Sequence, residues 1–472
     1  MMILGRTMKI NKGWKELVVV TGVVVFGLLL RYHGLSRVPL PGESMDEYSN
    51  SWVGLSLIRL GVPVGRSGLL GYGGNDYRYV NVDGVFATTA GGSPLELNKP
   101  WFDHPPGLGL ITGGYAYLQG ARVFEDTTAR LIRIPMLGFS MVMMLGVYVL
   151  ARLIVGKRTA VLALLLVATS PLVVITSRMV QAENALVGLW LWSLIFLKLY
   201  EKKASVGWLL MGAITAGLSM CFKLTGVAVV LSGLTILAMG KKNVRERLRD
   251  IVVFGLIGLA FLSLFVVYGW VYDWDLFWKI WQSNSSRPYD IGFDAIFNLL
   301  TSTKITVSKY LTDGWPLIGW FGVIWGLQKK WGEKEKYLLV PLGVYLALFL
   351  WMGSSAYGWY RIPFLPFLYI FAASLINQGI SRYGANVWLL LIPMGINLEQ
   401  ISRVRDLNWL VGYWKIILPV LVMVGIIESL WRKQINRRIH TSTVIVIVLV
   451  ALLGNVWVSW MISGQEAWLK VF

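Results

Sequence analysis

Apolar residues in this chain come in long unbroken runs, not in the two-residue alternation of a half-buried strand. The runs cover 17–32, 131–152, 158–177, 182–199, 205–221, 225–240, 251–272, 314–328, 337–352, 362–378, 386–397, 409–431 and 441–461. A helix that crosses a bilayer needs roughly 20 mostly apolar residues. The pattern therefore predicts an all-α polytopic membrane protein with about thirteen transmembrane helices. The run 386–397 is the shortest. The first run follows the basic residues Arg6, Lys9, Lys12 and Lys15. Arg31-Tyr32-His33 makes a poor cleavage site, so this run reads as a retained helix with a cytoplasmic N-terminus, not as a signal peptide.

One further run, 105–120, decides the topology. Counted as a span, it places Arg152, Lys157, Arg158, Lys202, Lys203, Lys241, Lys242, Lys329, Lys330, Arg432 and Lys433 outside, against the positive-inside rule in every short loop. Read as a helix lying at the outer surface, it returns all of them to the inside. Its glycines (Gly107, Gly109, Gly113, Gly114, Gly120) also make it a poor span. The second reading leaves two large outer stretches, 34–130 and 273–313. In the first, Tyr48, Trp52, Leu55 and Ile58 fall on one face of an expected surface helix over 46–61. The middle, 62–100, is rich in glycine and tyrosine and reads as irregular loop. In the second, Phe293, Ile296, Phe297, Leu300, Val307 and Leu311 predict another surface helix. No internal repeat and no separate soluble domain is visible. The expected division is a membrane module over 1–380, followed by further membrane helices over 381–472.

Composition agrees with the pattern. Of 472 residues, 56% are hydrophobic and 15% charged, against about 25% charged in a soluble protein. A cytosolic enzyme, a disordered tail and a coiled coil are excluded. The single cysteine, Cys221, excludes a disulfide framework and a cysteine zinc site. The net charge of +19 collects in the inner loops, where it is an orientation signal and not a nucleic-acid footprint. Most of the 25 acidic residues face outward, so carboxylate chemistry belongs there.

Five outer positions draw attention. Asp46 and Glu47 open the first surface helix, where acids suit the helix dipole; the functional reading makes one of them a general base facing a cleft at the membrane surface. Asp103 and His104 precede Pro105-Pro106, and an acid before a proline-led first turn also serves as a cap. Arg178, with Glu183 close behind, lies in an outer turn between two runs. Lys223 sits between two runs with almost no loop, and Arg361 follows Tyr360. A cation snorkelling to the interface is the plain reading of each. Three cations on one face, opposite carboxylates, instead fit a lipid phosphate or diphosphate. Asp76 and Asp83 read as solvated loop carboxylates. No phosphate-binding glycine loop, dinucleotide fingerprint or HExxH occurs. The outer compartment normally lacks nucleotide sugars, so an activated donor there must be lipid-linked.

Taken together, these motifs resemble the GT-C class of membrane glycosyltransferases, and within it the protein O-mannosyltransferase and lipid A aminoarabinose transferase superfamily. The resemblance covers about 15–380. It rests on Asp46-Glu47, Asp103-His104-Pro105-Pro106, Arg130-Leu131-Ile132-Arg133-Ile134-Pro135, the 152–158 inner loop, Ser177-Arg178 with Glu183, Lys223, and Tyr360-Arg361 with following prolines. It implies transfer of a sugar from a polyprenyl-phosphate donor to an acceptor hydroxyl at the outer face of a plasma membrane, in a prokaryote, with inversion. The acceptor is a lipid, a glycan or a protein. Asp46 would be the catalytic acid-base residue, with Glu47 and Asp103 as further catalytic candidates. His104, Arg178, Glu183, Lys223, Tyr360 and Arg361 would bind substrate, the cations holding the departing phosphate. Glu183 stands where the family usually has Asp. The mannosyltransferases carry a lysine soon after His-Pro-Pro, where Gly107-Leu108-Gly109-Leu110 stands here. The aminoarabinose enzymes have Lys-Pro-Pro where His104 precedes the prolines here. Sugar and acceptor therefore stay open, and so does a divalent metal; no cofactor is implied with certainty. The rival reading is a transporter or lipid flippase, which should place its charges near mid-membrane, with inverted repeats.

Overall fold

The computed structural model describes residues 12–44, 46–72, 76–78, 82–83, 85, 95–286, 292–301, 304–306, 311–327, 334–353, 357–381, 390–405, 408–430 and 437–464. In chain order the elements are α1 (Lys12–Tyr32), α2 (Asp46–Leu60), β1 (Asp76–Arg78), β2 (Leu95–Leu97), α3 (Gly107–Leu118), α4 (Ala129–Ile154), α5 (Lys157–Thr169), α6 (Pro171–Thr176), α7 (Ala182–Lys203), α8 (Val206–Met220), α9 (Val227–Ala238), α10 (Val244–Tyr272), α11 (Trp274–Ser285), α12 (Phe293–Thr301), α13 (Trp315–Leu327), α14 (Lys336–Met352), a 3-10 helix (Gly358–Phe364), α15 (Leu365–Ser381), α16 (Leu391–Arg405), α17 (Asn408–Leu430) and α18 (Arg437–Ser463).

A helix lies in each of the thirteen apolar runs, but length separates them. Among the described residues, six segments are long and apolar enough to cross a membrane: α1, α4, α7, α10, Gly358–Ile380 and α18. Four more, α8, α9, α13 and α14, are apolar but shorter. The protein is an integral membrane protein. The run 158–177, read as one span, is two helices. Pro171 has no N–H and cannot continue the ladder of α5, so α6 restarts there with Ser170 as its cap, accepting from the Val173 N–H.

The centre of the bundle is α7, buried along almost its whole length. It packs against α4 and α8 and meets the 3-10 helix at its N-terminal end. Trp190 on α7 contacts the rings of Tyr345 and Phe367 edge-on. At the rim, α10 turns Leu256, Leu259, Leu264, Trp270 and Val271 outward, as a helix bathed in lipid does. The last helix, α18, packs back onto α1, α5, α6 and α15.

Neither α2, with 15 residues, nor α3, with 12, reaches the roughly 20 that a span needs. They pack on each other through small residues. A Cβ on Gly54 would sit 1.8 Å from the Gly109 carbonyl oxygen, so only glycine lets the two backbones approach this closely. Ser51 Oγ donates to Thr112 Oγ1 at 3.0 Å in the same contact. On α2, Tyr48, Trp52 and Leu55 are buried as the periodicity predicts, whereas Ile58 is exposed. The expected irregular stretch 62–100 contains a short antiparallel pair, β1 with β2, in the register Tyr77 opposite Glu96. Leu95 and Leu97 turn inward from it, which gives this loop an apolar anchor. In the second outer stretch a helix missed by pattern, α11, precedes α12. On α12, Phe293, Phe297 and Leu300 are exposed while Ala295 and Leu299 are buried. Leu311 is buried outside any helix, and Val307 lies outside the described residues.

Candidate functional site

One end of the bundle gathers the start of α2, the first turns of α4 and α7, the 221–223 turn and the 3-10 helix. Asp46 is the first residue of α2 and is exposed. Its neighbour Glu47 points the other way and is buried, because adjacent helical residues diverge by about 100°. Glu47 Oε2 accepts from Arg133 Nε at 2.7 Å. Arg133, also fully buried, further donates to the carbonyls of Leu35 and Pro39. Burial pushes the Glu47 carboxyl upward, and the Arg133 guanidinium opposes that. Glu47 is thus a tie between α2, α4 and the chain leaving α1. The structure places the catalytic candidate Glu47 in this buried tie, with its Oε1 left without a hydrogen-bond partner among the described residues.

The second pair is Glu183 and Lys223. The Lys223 ammonium donates to Glu183 Oε1, with both side chains withdrawn from solvent. Lys223 Nζ also lies 4.6 Å from the centre of the Tyr360 ring, a cation–π contact. Burial alone would lower the Lys223 pKa; the Glu183 carboxylate outweighs it, with Tyr360 and Asp46 adding to the upward shift. Glu183 Oε2 is buried and has no hydrogen-bond partner among the described residues. The same holds for Arg361 Nε, whose Nη2 donates to the Lys304 carbonyl. Buried polar atoms are seldom left unmatched, so an acceptor and a donor stand ready here for a ligand.

Arg178 is placed differently from the expectation. It is fully buried and donates to the carbonyls of Leu30, Arg31, His33 and Val38 and to Ser463 Oγ on α18. The last carbonyls of a helix have no partner within it, and a cation at that end also suits the dipole. Arg178 is the cap of α1, with its donors spent on backbone, and it does not present a guanidinium to a phosphate. Arg31 does the same for α5. It donates to the carbonyls of Val167 and Ala168, and the Val167 carbonyl would have paired with the N–H that Pro171 lacks.

Asp103 is also tied down. It accepts from Ser67 Oγ at 2.9 and 2.7 Å and from the Tyr72 hydroxyl at 2.8 Å. Its carbonyl accepts from Asn284 Nδ2. These bonds tie the expected catalytic candidate Asp103 to the 66–72 loop and to α11. His104 lies beside it in a small cleft with Asn50, Pro105, Pro106, Ala182 and Phe222, and meets Trp101 edge-on. That cleft touches α2 and the start of α7, so His104 borders the site. Asp83 is exposed, as expected of a loop carboxylate, but it is also bonded to the protein. Its Oδ2 accepts from the Tyr48 hydroxyl and the Ala129 N–H, tying α2 to the start of α4. The side chain of Asp76 lies outside the described residues. Sequence reasoning assigned no role to Arg31 or Arg133; the signal for both was an arginine inside an apolar run, where an unpaired charge is expensive. Among the described residues no three His, Cys, Asp or Glu side chains come together to hold a metal ion.

A family model described as dolichyl-phosphate-mannose-protein mannosyltransferase matches residues 103–270. That segment holds Asp103, His104, Arg133, Arg178, Glu183 and Lys223. No curated relative matches by sequence. Among solved structures the chain is similar to ArnT from Cupriavidus metallidurans in the apo state, with a TM-score of 0.59 and 15% identity over 97% of this chain and 77% of ArnT. The undecaprenyl phosphate-bound form of ArnT gives 0.57 and 15% over 97% and 78%. Arabinosyltransferase EmbB from Mycobacterium smegmatis gives 0.55 and 12% over 97% and 42%, so this chain spans under half of it. The apo oligosaccharyltransferase of Archaeoglobus fulgidus gives 0.52 and 12% over 97% and 56%. At these identities the likeness is one of fold. The chain has the fold of the GT-C membrane glycosyltransferases, and the resemblance carried by its motifs holds.

Proposed function

We propose that this chain transfers a sugar from a polyprenyl-phosphate donor to an acceptor hydroxyl, at the end of the bundle that carries Asp46, Glu183, Lys223 and Arg361. The observation that carries the reading is the buried Glu183–Lys223 pair against the Tyr360 ring, at the end of the bundle where α2 opens with the exposed Asp46 carboxylate and meets Ala182 and Phe222 through Asn50. An acid near a cation is what proton removal next to a departing phosphate requires. Support comes from the fold shared with ArnT, whose structure holds undecaprenyl phosphate, and from the match to the mannosyltransferase family model.

In the proposed step the acceptor oxygen attacks the anomeric carbon from the side opposite the phosphate. The carbon–oxygen bond to phosphate breaks, and the polyprenyl phosphate leaves with the electron pair. Asp46 takes the acceptor proton, and the anomeric configuration inverts. Lys223 and Arg361 stabilise the charge that grows on the leaving phosphate. Glu183 keeps Lys223 charged and aimed, and Tyr360 walls its other side. The active site faces outward and the N-terminus is cytoplasmic, in the plasma membrane of a prokaryote. The catalytic residues all lie within 1–380, and 381–472 adds helices of which α18 steadies Arg178. A transporter is disfavoured because these charges gather at one end of the bundle rather than at mid-depth.

The test is transfer from a panel of polyprenyl-phosphate sugars to lipid, glycan and peptide acceptors, by membranes carrying the wild type or Asp46→Asn. Transfer by the wild type alone supports the reading. Equal transfer by both would remove Asp46 as base, and no transfer with any donor would overturn the transferase.

A further inference from the structure

The opposite end of the bundle holds a cavity of about 810 Å³. From Glu183 near the start of α7 to Glu201 near its end is about 27 Å at a rise of ~1.5 Å per residue, so this cavity is remote from the site above. Four separate segments bring cations to it: the end of α7, the turn before α10, the first turns of α10, and the entry to α14. Charges that serve only to orient a membrane protein can be scattered over its loops; these converge on one concavity.

Its carboxylates do not neutralise it. Asp250, almost wholly buried, accepts from the Tyr200 hydroxyl at 2.6 Å and pairs with Lys242 at 2.9 Å and Arg249 at 3.0 Å. Glu201 takes Lys198 and Lys336. Lys202, Arg247 and Lys334 also line the cavity, and none has a carboxylate partner among the described residues. Glu335 Oε2 is buried there with no hydrogen-bond partner among the described residues, an acceptor suited to a hydroxyl. Leu153, Leu197, Ile236 and Leu237 supply an apolar wall.

Cations above an apolar wall, at the end of a membrane bundle, match an amphiphile whose phosphate meets the cations while its chain lies on the leucines. We propose that this cavity binds the phosphate group of an anionic phospholipid, with Lys202, Arg247 and Lys334 as the cations that recognise it and Glu335 receiving a headgroup hydroxyl. Bound there, the lipid bridges α7, α10 and α14.

The full chain, purified in detergent, is titrated with phosphatidylglycerol, phosphatidylcholine and glycerol phosphate, with binding read by native mass spectrometry and thermal unfolding. The wild type is expected to prefer phosphatidylglycerol over phosphatidylcholine by about 10- to 100-fold, from three cations near one phosphate. A variant carrying Lys202→Gln, Arg247→Gln and Lys334→Gln should lose that preference and unfold, without lipid, at the wild-type temperature. Absence of the preference in the wild type, or its survival in a folded triple variant, overturns the proposal. Binding of glycerol phosphate as tight as that of the lipid would assign the cavity to a soluble phosphate compound and overturn the lipid. If the triple variant does not fold, the same comparison is made with each single substitution. Sugar transfer is not the readout, so this test stands apart from that of the proposed transferase.

Discussion

The Lys223 ammonium is bonded to the Glu183 carboxylate and lies against the face of the Tyr360 ring, so three segments distant in sequence meet at one buried charge. Removing one partner of such a pair strands the other in a low-dielectric setting. Lys223→Met is expected to cost roughly 3–5 kcal/mol of stability. Lys223→Met combined with Glu183→Leu should cost less than Lys223→Met alone. Thermal unfolding of the two variants in detergent checks this; a double variant worse than the single would show that the pair is not coupled.

Asp46→Asn keeps the shape of the side chain and removes its ability to take a proton. Transfer should fall to near background while the polyprenyl-phosphate sugar still binds. Single-turnover transfer beside donor binding is the measurement. Glu47→Gln should instead lower stability, since its buried carboxylate is the partner of Arg133.

Arg361 and Arg178 should separate cleanly. Arg361→Ala leaves the fold in place and slows transfer, by roughly 10²-fold for a charge-assisted phosphate contact. Arg178→Ala uncaps α1 and should lower the unfolding temperature or prevent accumulation in membranes. Arg178→Lys should rescue little, because one ammonium cannot reach the carbonyls of Leu30, Arg31, His33 and Val38 together. A stable Arg178→Ala protein with slow turnover would return Arg178 to the phosphate.

The contact of α2 with α3 has no room for a side chain at Gly54. Gly54→Val is expected to push the helices apart and move Asp46, costing most of the transfer activity. Gly138→Ala, on the exposed face of α4, where a Cβ would meet nothing within 4 Å, serves as the control. Similar loss in both would point to a general fault in folding.

Topology is read by single cysteines in a Cys221→Ser background. A cysteine at Leu70, which is 96% exposed, should react with an impermeant thiol reagent in sealed cells. One at Asn243 should react only after permeabilisation. Labelling of Asn243 in sealed cells would place the basic loops outside and overturn the proposed orientation.

The apolar runs by themselves determined where the helices lie, because in a bilayer the backbone must satisfy its own hydrogen bonds and a long apolar segment has no alternative to a helix. The short, glycine-rich run 105–120 likewise marked out a helix, α3, of only 12 residues. Asp46, Glu183, Lys223 and Arg361 were visible as charges that a membrane protein does not carry without cause. What each charge does was decided by tertiary structure. Arg178 and Lys223 look alike in sequence, each a lone cation in a turn. Packing puts Arg178 under the Arg31 carbonyl of α1, 147 residues away, and puts Lys223 against Glu183, 40 residues away. Glu47 and Asp46 are neighbours in sequence, but the turn of α2 buries one against Arg133, 86 residues on, and exposes the other. Local pattern fixes which face a residue occupies. The partner waiting on that face is supplied by a distant segment, and only the folded chain brings the two together.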